Sequence, residues 1–258
     1  MGDLVRRALA YLPAVTFSVI VLVLGLAWTA RDAMPAFADI KDAGERKSTF
    51  FSWLLPVVQQ ENDRLVELRG AILALHDKRE AGKSLGWHEK RLLELLAERH
   101  ESPVTDPDAP DFFSELLTRV DRVPASLALA QAAWESGWGT SRFARRGYNL
   151  FGHWCHVPGC GYVPAQRPEG ADHEVAAFAD PRESVRKYFR NLNSHRAYRQ
   201  FRARRAELRN KGLPITGPAL VRSLDSYSER GTDYVDDIER LMLANNLPIC
   251  TRNIDIDC

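Results

Sequence analysis

The chain has 258 residues, 45% of them hydrophobic and 27% charged, with 35 Lys and Arg against 34 Asp and Glu. This composition fits one large globular domain with an extension and excludes a disordered tail, a collagen-like rod or a small disulfide scaffold. A formal charge of +1 argues against a dedicated nucleic-acid binder, and no repeat at a fixed period points to a solenoid.

Leu12 to Ala30 is a run of 19 uncharged residues preceded by Arg6 and Arg7. As a helix it spans about 28 Å, close to a hydrocarbon core. Two readings compete: a cleaved signal peptide and an uncleaved anchor with its positive end inside. The run is longer than a signal core of about 7–15 residues, which favours the anchor. Ala36-Phe37-Ala38, however, is an A-x-A cleavage pattern. Either way residues 39–258 are exported, and they carry 32 charges of each sign.

Arg31 to Lys47 reads as a polar linker or frayed start. Phe50, Phe51, Trp53, Leu54 and Leu55 open a helical pattern that Pro56 should kink or end. Val57, Val58, Leu65, Leu68, Ile72 and Leu75 continue it, and Leu92 to Leu96 mark a further helix ending near His100. Ser102 to Pro110 is a loop, and Asp111 is placed to cap a helix through Phe112 and Leu117.

Pro124 opens an alanine-rich helix through Ser136 that Gly137 and Gly139 end. Gly147 to Asp180, rich in glycine, proline and strand formers, reads as a small hairpin or sheet lobe. Helical patterns resume at Glu183, at Leu220 and at Tyr234. The fold class is mainly α (α+β). The boundaries are a membrane or signal segment at 1–38, a helical extension at 39–110, the main domain at 111–247 and a tail at 248–258.

The four cysteines form two close pairs, Cys155/Cys160 and Cys250/Cys258. Local pairing is the simplest of three connectivities. A zinc site beside His153 and His156 is the rival, disfavoured because thiols in an oxidising compartment pair before they ligate. Between Arg182 and Lys211 there are 11 Lys and Arg against two acids. This is either a solvated helix face or a basic face toward an anionic polymer or membrane, and the second reading requires salt-dependent binding.

Glu135 lies at the C-terminal end of its helix, where the negative dipole disfavours a carboxylate, and Trp134 and Trp138 flank it. A carboxyl kept protonated near neutral pH is what a general acid needs, and glycosidic cleavage needs such an acid. Trp138, Phe143, Tyr148, Phe151 and Trp154 follow closely and could pack on sugar faces. Gln131, Ser136 and Asn149 could bond hydroxyl or acetamide groups. The bland counterpart is a solvated glutamate beside core aromatics.

The segment Trp134-Glu135-Ser136-Gly137-Trp138-Gly139, followed by Asn149-Leu150-Phe151-Gly152, resembles the glucosaminidase family, glycoside hydrolase family 73, in its Bax-like branch. Phe50 to Arg64 and Tyr227-Ser228-Glu229-Arg230-Gly231 with Tyr234 extend the resemblance over most of 48–247. It implies a lysozyme-like helical domain with a small β-hairpin lobe beside a groove. It also implies cleavage after N-acetylglucosamine in peptidoglycan or related glycans, with no cofactor and no metal. By it Glu135 is the catalytic acid, Gln131, Ser136, Trp138, Asn149, Phe151, Gly152, Tyr227 and Tyr234 line the substrate site, and Tyr234 faces the acid. Where the family often carries a glutamate in the β lobe this chain has Gln166, so Glu169, Asp172 and Glu174 become candidates for the second group, with Glu174 the one chosen. Other routes are attack by the substrate's acetamido group or by a sugar hydroxyl, as in lytic transglycosylases. A non-catalytic glycan-binding protein on the same fold is the remaining alternative. The expected location is the bacterial inner membrane, facing the periplasm.

Overall fold

The computed structural model describes residues 34–165, 167 and 169–247, and the backbone of 250–251 and 254–255. The segment expected to meet the membrane, 12–30, lies outside the described residues, as do Gln166, Cys258 and the side chain of Cys250. Among the described residues no helix is long and apolar enough to cross a membrane.

The protein is mainly helical with a small antiparallel sheet. Helix α1, Ala43–Glu80, starts where the Asp42 carboxylate accepts the Glu45 N–H at 2.7 Å. It runs through Pro56 without ending. Buried Phe50 and Leu54 before the proline, and Val57, Val58 and Leu65 after it, hold both halves against the core. In the stretch expected to be a linker or frayed start, Phe37 alone among the described residues is buried. Phe37 is 1% exposed, meets Phe50 and Trp53 edge-on at 5.4 and 5.5 Å, and lies under Gly139. A side chain at 139 would clash, since its Cβ would fall 2.4 Å from the Phe37 ring.

Helices α2 (Trp87–Arg99) and α3 (Phe112–Arg119) follow. The Asp111 side chain makes no capping bond, against expectation. Helix α4, Ala125–Ser136, is the centre: every residue from Ala125 to Ala133 is buried. Its alanines let α1 approach on one side and α8 (Gly217–Val221) and α9 (Thr232–Ala244) on others. Helix α5, Arg142–Gly147, leads to the β lobe. There β3 (Glu174–Ala176) is central, pairing antiparallel with β1 (Trp154–Cys155) and β2 (Gly161–Tyr162). The Cys155–Cys160 disulfide closes the loop between β1 and β2. A short hairpin, β4 (Cys250–Thr251) with β5 (Ile254–Asp255), pairs near the C-terminus.

Helices α6 (Pro181–Ser194) and α7 (Arg199–Asn210) hold the basic stretch. Part of that stretch turns inward. Arg202 donates to Leu192 O and His195 O, and Arg205, 1% exposed, donates to Thr118 O and Arg122 O. These guanidinium groups cap helix C-termini, where carbonyls lack partners and the dipole is negative. Arg205 and Arg209 also converge with Arg69 on buried Asp121.

Candidate active site

Helix α4 places Gln131 and Glu135 one turn apart on the same face. The helix ends in a left-handed turn: Gly137 has φ 57° and the Trp138 N–H reaches back to Ala133 O at 2.8 Å. Ser136 secures the turn. Its hydroxyl donates to Ala132 O at 2.6 Å and accepts from the Gly139 N–H at 2.8 Å.

Glu135 is thereby presented half-buried at the helix end. Burial raises its carboxyl above the usual carboxylate range, and a hydrogen bond from the Tyr234 hydroxyl draws it only partly back. Among the described residues no second carboxylate contributes to that shift. Gly152, with φ +68°, passes directly beside the acid: a Cβ there would lie 3.2 Å from Glu135 Oε2. Glycine at this position keeps that side of the carboxyl open.

Behind the acid stands a directed chain of hydrogen bonds. The Tyr188 hydroxyl donates to Gln131 Oε1 at 2.5 Å, Gln131 Nε2 donates to the Tyr234 hydroxyl at 2.8 Å, and Tyr234 donates to Glu135. Gln131, Tyr188 and Tyr234 are all buried. Tyr227 lies parallel to Tyr234 at 5.5 Å and donates to Phe151 O, and Phe151 stacks on Tyr188 at 4.0 Å. Burial raises Tyr188, Tyr227 and Tyr234 further from ionisation, and the nearby Glu135 adds to it. The phenols therefore act as neutral donors.

The structure brings Gln131, Glu135, Phe151, Gly152, Tyr227 and Tyr234 together. Gln131, Ser136, Asn149 and Phe151 are buried, and the polar three have their bonds inside the protein. Asn149 donates to His153 O and Ala176 O at 2.8 Å each and accepts from the His153 N–H, tying the β lobe to the helix end. Trp138 packs edge-on against Phe50 and Phe51, with Lys47 over its ring, and so anchors α1 to the turn after Glu135. Trp138, Phe143 and Tyr148 are partly exposed; the most exposed aromatics of this segment are Trp134, 41% exposed with Arg230 over it, and Trp154, 59% exposed and stacked on His173 at 4.1 Å.

Glu174, the expected second group, is bonded within the lobe. Its carboxylate accepts from the Gly159 and Gly161 N–H groups at 3.0 and 2.8 Å, and these bonds hold its pKa down. It thereby clamps the disulfide hairpin. Asp172 is exposed and pairs with His156 at 3.3 Å. The sulfurs of Cys155 and Cys160 lie near Glu174, but they are bonded to each other and offer no thiolates to a metal. Tyr188 was not among the predicted site residues; it sits 57 positions from Gln131, and no local motif marks it.

Residues 112–247 match the model of the glucosaminidase family, described as mannosyl-glycoprotein endo-β-N-acetylglucosaminidase. Over 204 residues, 78% of this chain and 70% of the relative, the sequence is 31% identical to Protein bax of Escherichia coli (strain K12). No solved structure matches the chain. With the family model covering more than half of its length and this relative covering most of it, the chain belongs to the glucosaminidase family of glycoside hydrolases.

Proposed function

We propose that the protein is an endo-β-N-acetylglucosaminidase with a lysozyme-like domain that cleaves peptidoglycan or a related N-acetylglucosamine-containing glycan, with Glu135 as general acid. The observation that carries this is the Glu135 carboxyl itself: half-buried, raised toward the protonated form, and open on its Gly152 side. The acid donates its proton to the glycosidic oxygen as the bond to the anomeric carbon breaks. The carboxylate left behind gains from the Tyr234 hydroxyl, whose own oxygen is polarised by Gln131 and Tyr188. That bond strengthens as charge develops on Glu135, so it favours the transition state over the ground state. Exposed Trp134 and Trp154 offer flat apolar faces for sugar rings.

With Glu174 engaged in the hairpin, the displacing group is best supplied by the substrate. Attack by its acetamido oxygen, followed by water, gives a reducing N-acetylglucosamine end. Attack by the muramyl sugar's own hydroxyl gives an anhydro end. The full chain and its Glu135→Gln variant are compared on purified peptidoglycan, with mass spectrometry of the fragments. Reducing N-acetylglucosamine ends that vanish in the variant are the expected result. Anhydro-muramyl ends would replace hydrolysis by transglycosylation, and no turnover by either protein would overturn the enzyme reading.

The proposed setting is the inner membrane facing the periplasm, with residues 12–30 as an uncleaved anchor. Two observations support it. The Cys155–Cys160 disulfide suits an oxidising compartment. Cutting after Ala38 would remove Phe37 from the core. The mass of the protein isolated from membranes tests this, and a mature chain starting at Asp39 would overturn it.

A further inference from the structure

The backbone is strained where the acid's helix ends. Gly137, Trp138 and Gly139 stand one after another in the left-handed region, at φ 57°, 60° and 75°. Glycine adopts that conformation freely, but Trp138 carries a Cβ that crowds the carbonyl oxygen after it. A residue in such a conformation persists only where its surroundings fix it. On the helix side two hydrogen bonds hold the turn, from the Trp138 N–H to Ala133 O and from the Gly139 N–H to Ser136 Oγ. Ser136 follows Glu135 in the chain, so a relaxation of this turn reaches the acid directly.

The far side of the turn is held by residues distant in sequence. The Phe37 ring lies so close to Gly139 that a Cβ there would crowd three of its carbons. Only a hydrogen fits between the ring and the backbone. Phe37 rests in turn on Phe50 and Trp53, while Phe50 and Phe51 meet the Trp138 ring edge-on at 6.0 and 5.2 Å. The segment that carries Phe37 is a single helical turn, Phe37–Asp39. Arg46 donates to Ile40 O at 3.3 Å and so ties that segment to the start of α1.

Phe37 therefore makes two kinds of contact. Those with Phe50 and Trp53 bury it, as any core ring is buried. The contact with Gly139 blocks the movement that would relax Trp138.

With Glu135 read as the general acid, we propose that Phe37 is its positioning residue: packed against Gly139, it keeps the strained turn closed and fixes the helix end that presents the carboxyl. The Ala36-Phe37-Ala38 triplet thereby belongs to the support of the active site, which is complete only in chains that keep Phe37.

The test compares the full chain with its Phe37→Ala, Phe37→Leu and Ile72→Ala variants, the folded fraction of each being taken from circular dichroism. Ile72 is as buried as Phe37 but lies about 33 Å from Phe50 along α1, so its loss costs stability far from the turn. The readouts are glycan cleavage per folded molecule and the carboxyl-carbon NMR titration of Glu135, assigned with Glu135→Gln. The titratable groups around that carboxyl are Tyr234, which bonds to it, and Tyr188, Tyr198 and Tyr227. Phe37 adds none, so a shift on its loss reports altered position or solvation. In Phe37→Ala kcat should fall on the order of tenfold to a hundredfold with KM little changed, and the carboxyl should titrate lower as water reaches it. Phe37→Leu, the milder change to the core, should show both effects, with kcat down about threefold. Ile72→Ala should show neither. A titration unchanged in both Phe37 variants, a kcat unchanged in both, or the same changes in Ile72→Ala would each overturn the proposal. If the wild type cleaves no glycan, the reading of Glu135 as an acid fails, and the titration alone decides whether Phe37 positions its carboxyl.

Discussion

Glu135 and Asp121 are both carboxylates withdrawn from water, and their surroundings drive them apart. Burial pushes each toward the neutral acid. At Asp121 three guanidinium groups, Arg205, Arg69 and Arg209, outweigh burial and hold the group below the usual carboxylate range. At Glu135 the only compensation is a neutral phenol, Tyr234, and the carboxyl stays high. One helical core thus contains a carboxylate made permanent by full charges and another kept protonatable by dipoles alone. Formal charge on the partner, rather than depth of burial, separates the structural acid from the one suited to move a proton.

Removing the protonatable group should have the largest effect. Glu135→Gln is expected to lower glycan cleavage by about 10²–10⁴-fold, the usual range for a general acid, measured as initial release of soluble fragments. The same variant should not lose stability at neutral pH. A raised folded pKa gives stability that is present below the unfolded value and lost as pH rises through the folded one. Glutamine removes that loss, so the variant should melt at or above the wild-type temperature at pH 7.

Asp121→Asn should do the opposite. It strands Arg205 and Arg69 in the core and is expected to cost about 3–5 kcal/mol in denaturant unfolding, with little change in turnover by the molecules that remain folded. Because the Asp121 pKa is lowered, its stabilisation is present above the unfolded value and falls away in acid as pH drops through the folded value. The variant should lack that acid-side dependence.

Tyr234→Phe sharpens the contrast with a smaller step. It deletes the one bond that lowers Glu135, so the alkaline limb of kcat/KM should move to higher pH while kcat falls about tenfold, the worth of one charge-assisted hydrogen bond. An unchanged alkaline limb would detach that limb from Glu135. The smallest effect on activity belongs to Glu174→Gln, which keeps one acceptor oxygen for the two hairpin N–H groups and turns an amide donor toward the other; it should lose less than tenfold in activity and about 1–3 kcal/mol in stability. A loss equal to that of Glu135→Gln would return Glu174 to the reaction.

Much of this is legible in the sequence. The alanine-rich helix, the acid at its C-terminal end, the glycine turn after it and the glycine-rich β lobe follow from short-range rules of propensity, capping and turn chemistry. Within Arg31–Lys47 the packing of Phe37 was not legible, because a short polar stretch carries no periodic signal and Phe37 acquires its meaning only under Gly139 and against Phe50. Pro56 does not end the helix because buried apolar residues on both sides of it hold the two halves against the core. The bonds that Glu174 makes to two backbone N–H groups across the hairpin could not be read from the sequence, because they depend on how the hairpin folds.

By itself, then, the sequence determined which residue could be the acid and which segments would be helix, because these depend on neighbours a few positions away. Tertiary structure alone decided how that acid is tuned. Tyr188, Gln131 and Tyr234 come from three helices and meet only when those helices pack. It also decided that Arg202 and Arg205, out of an apparent basic face, would turn inward to cap helix ends. Burial and hydrogen bonding between distant positions are properties of the packed chain, and no local pattern encodes them.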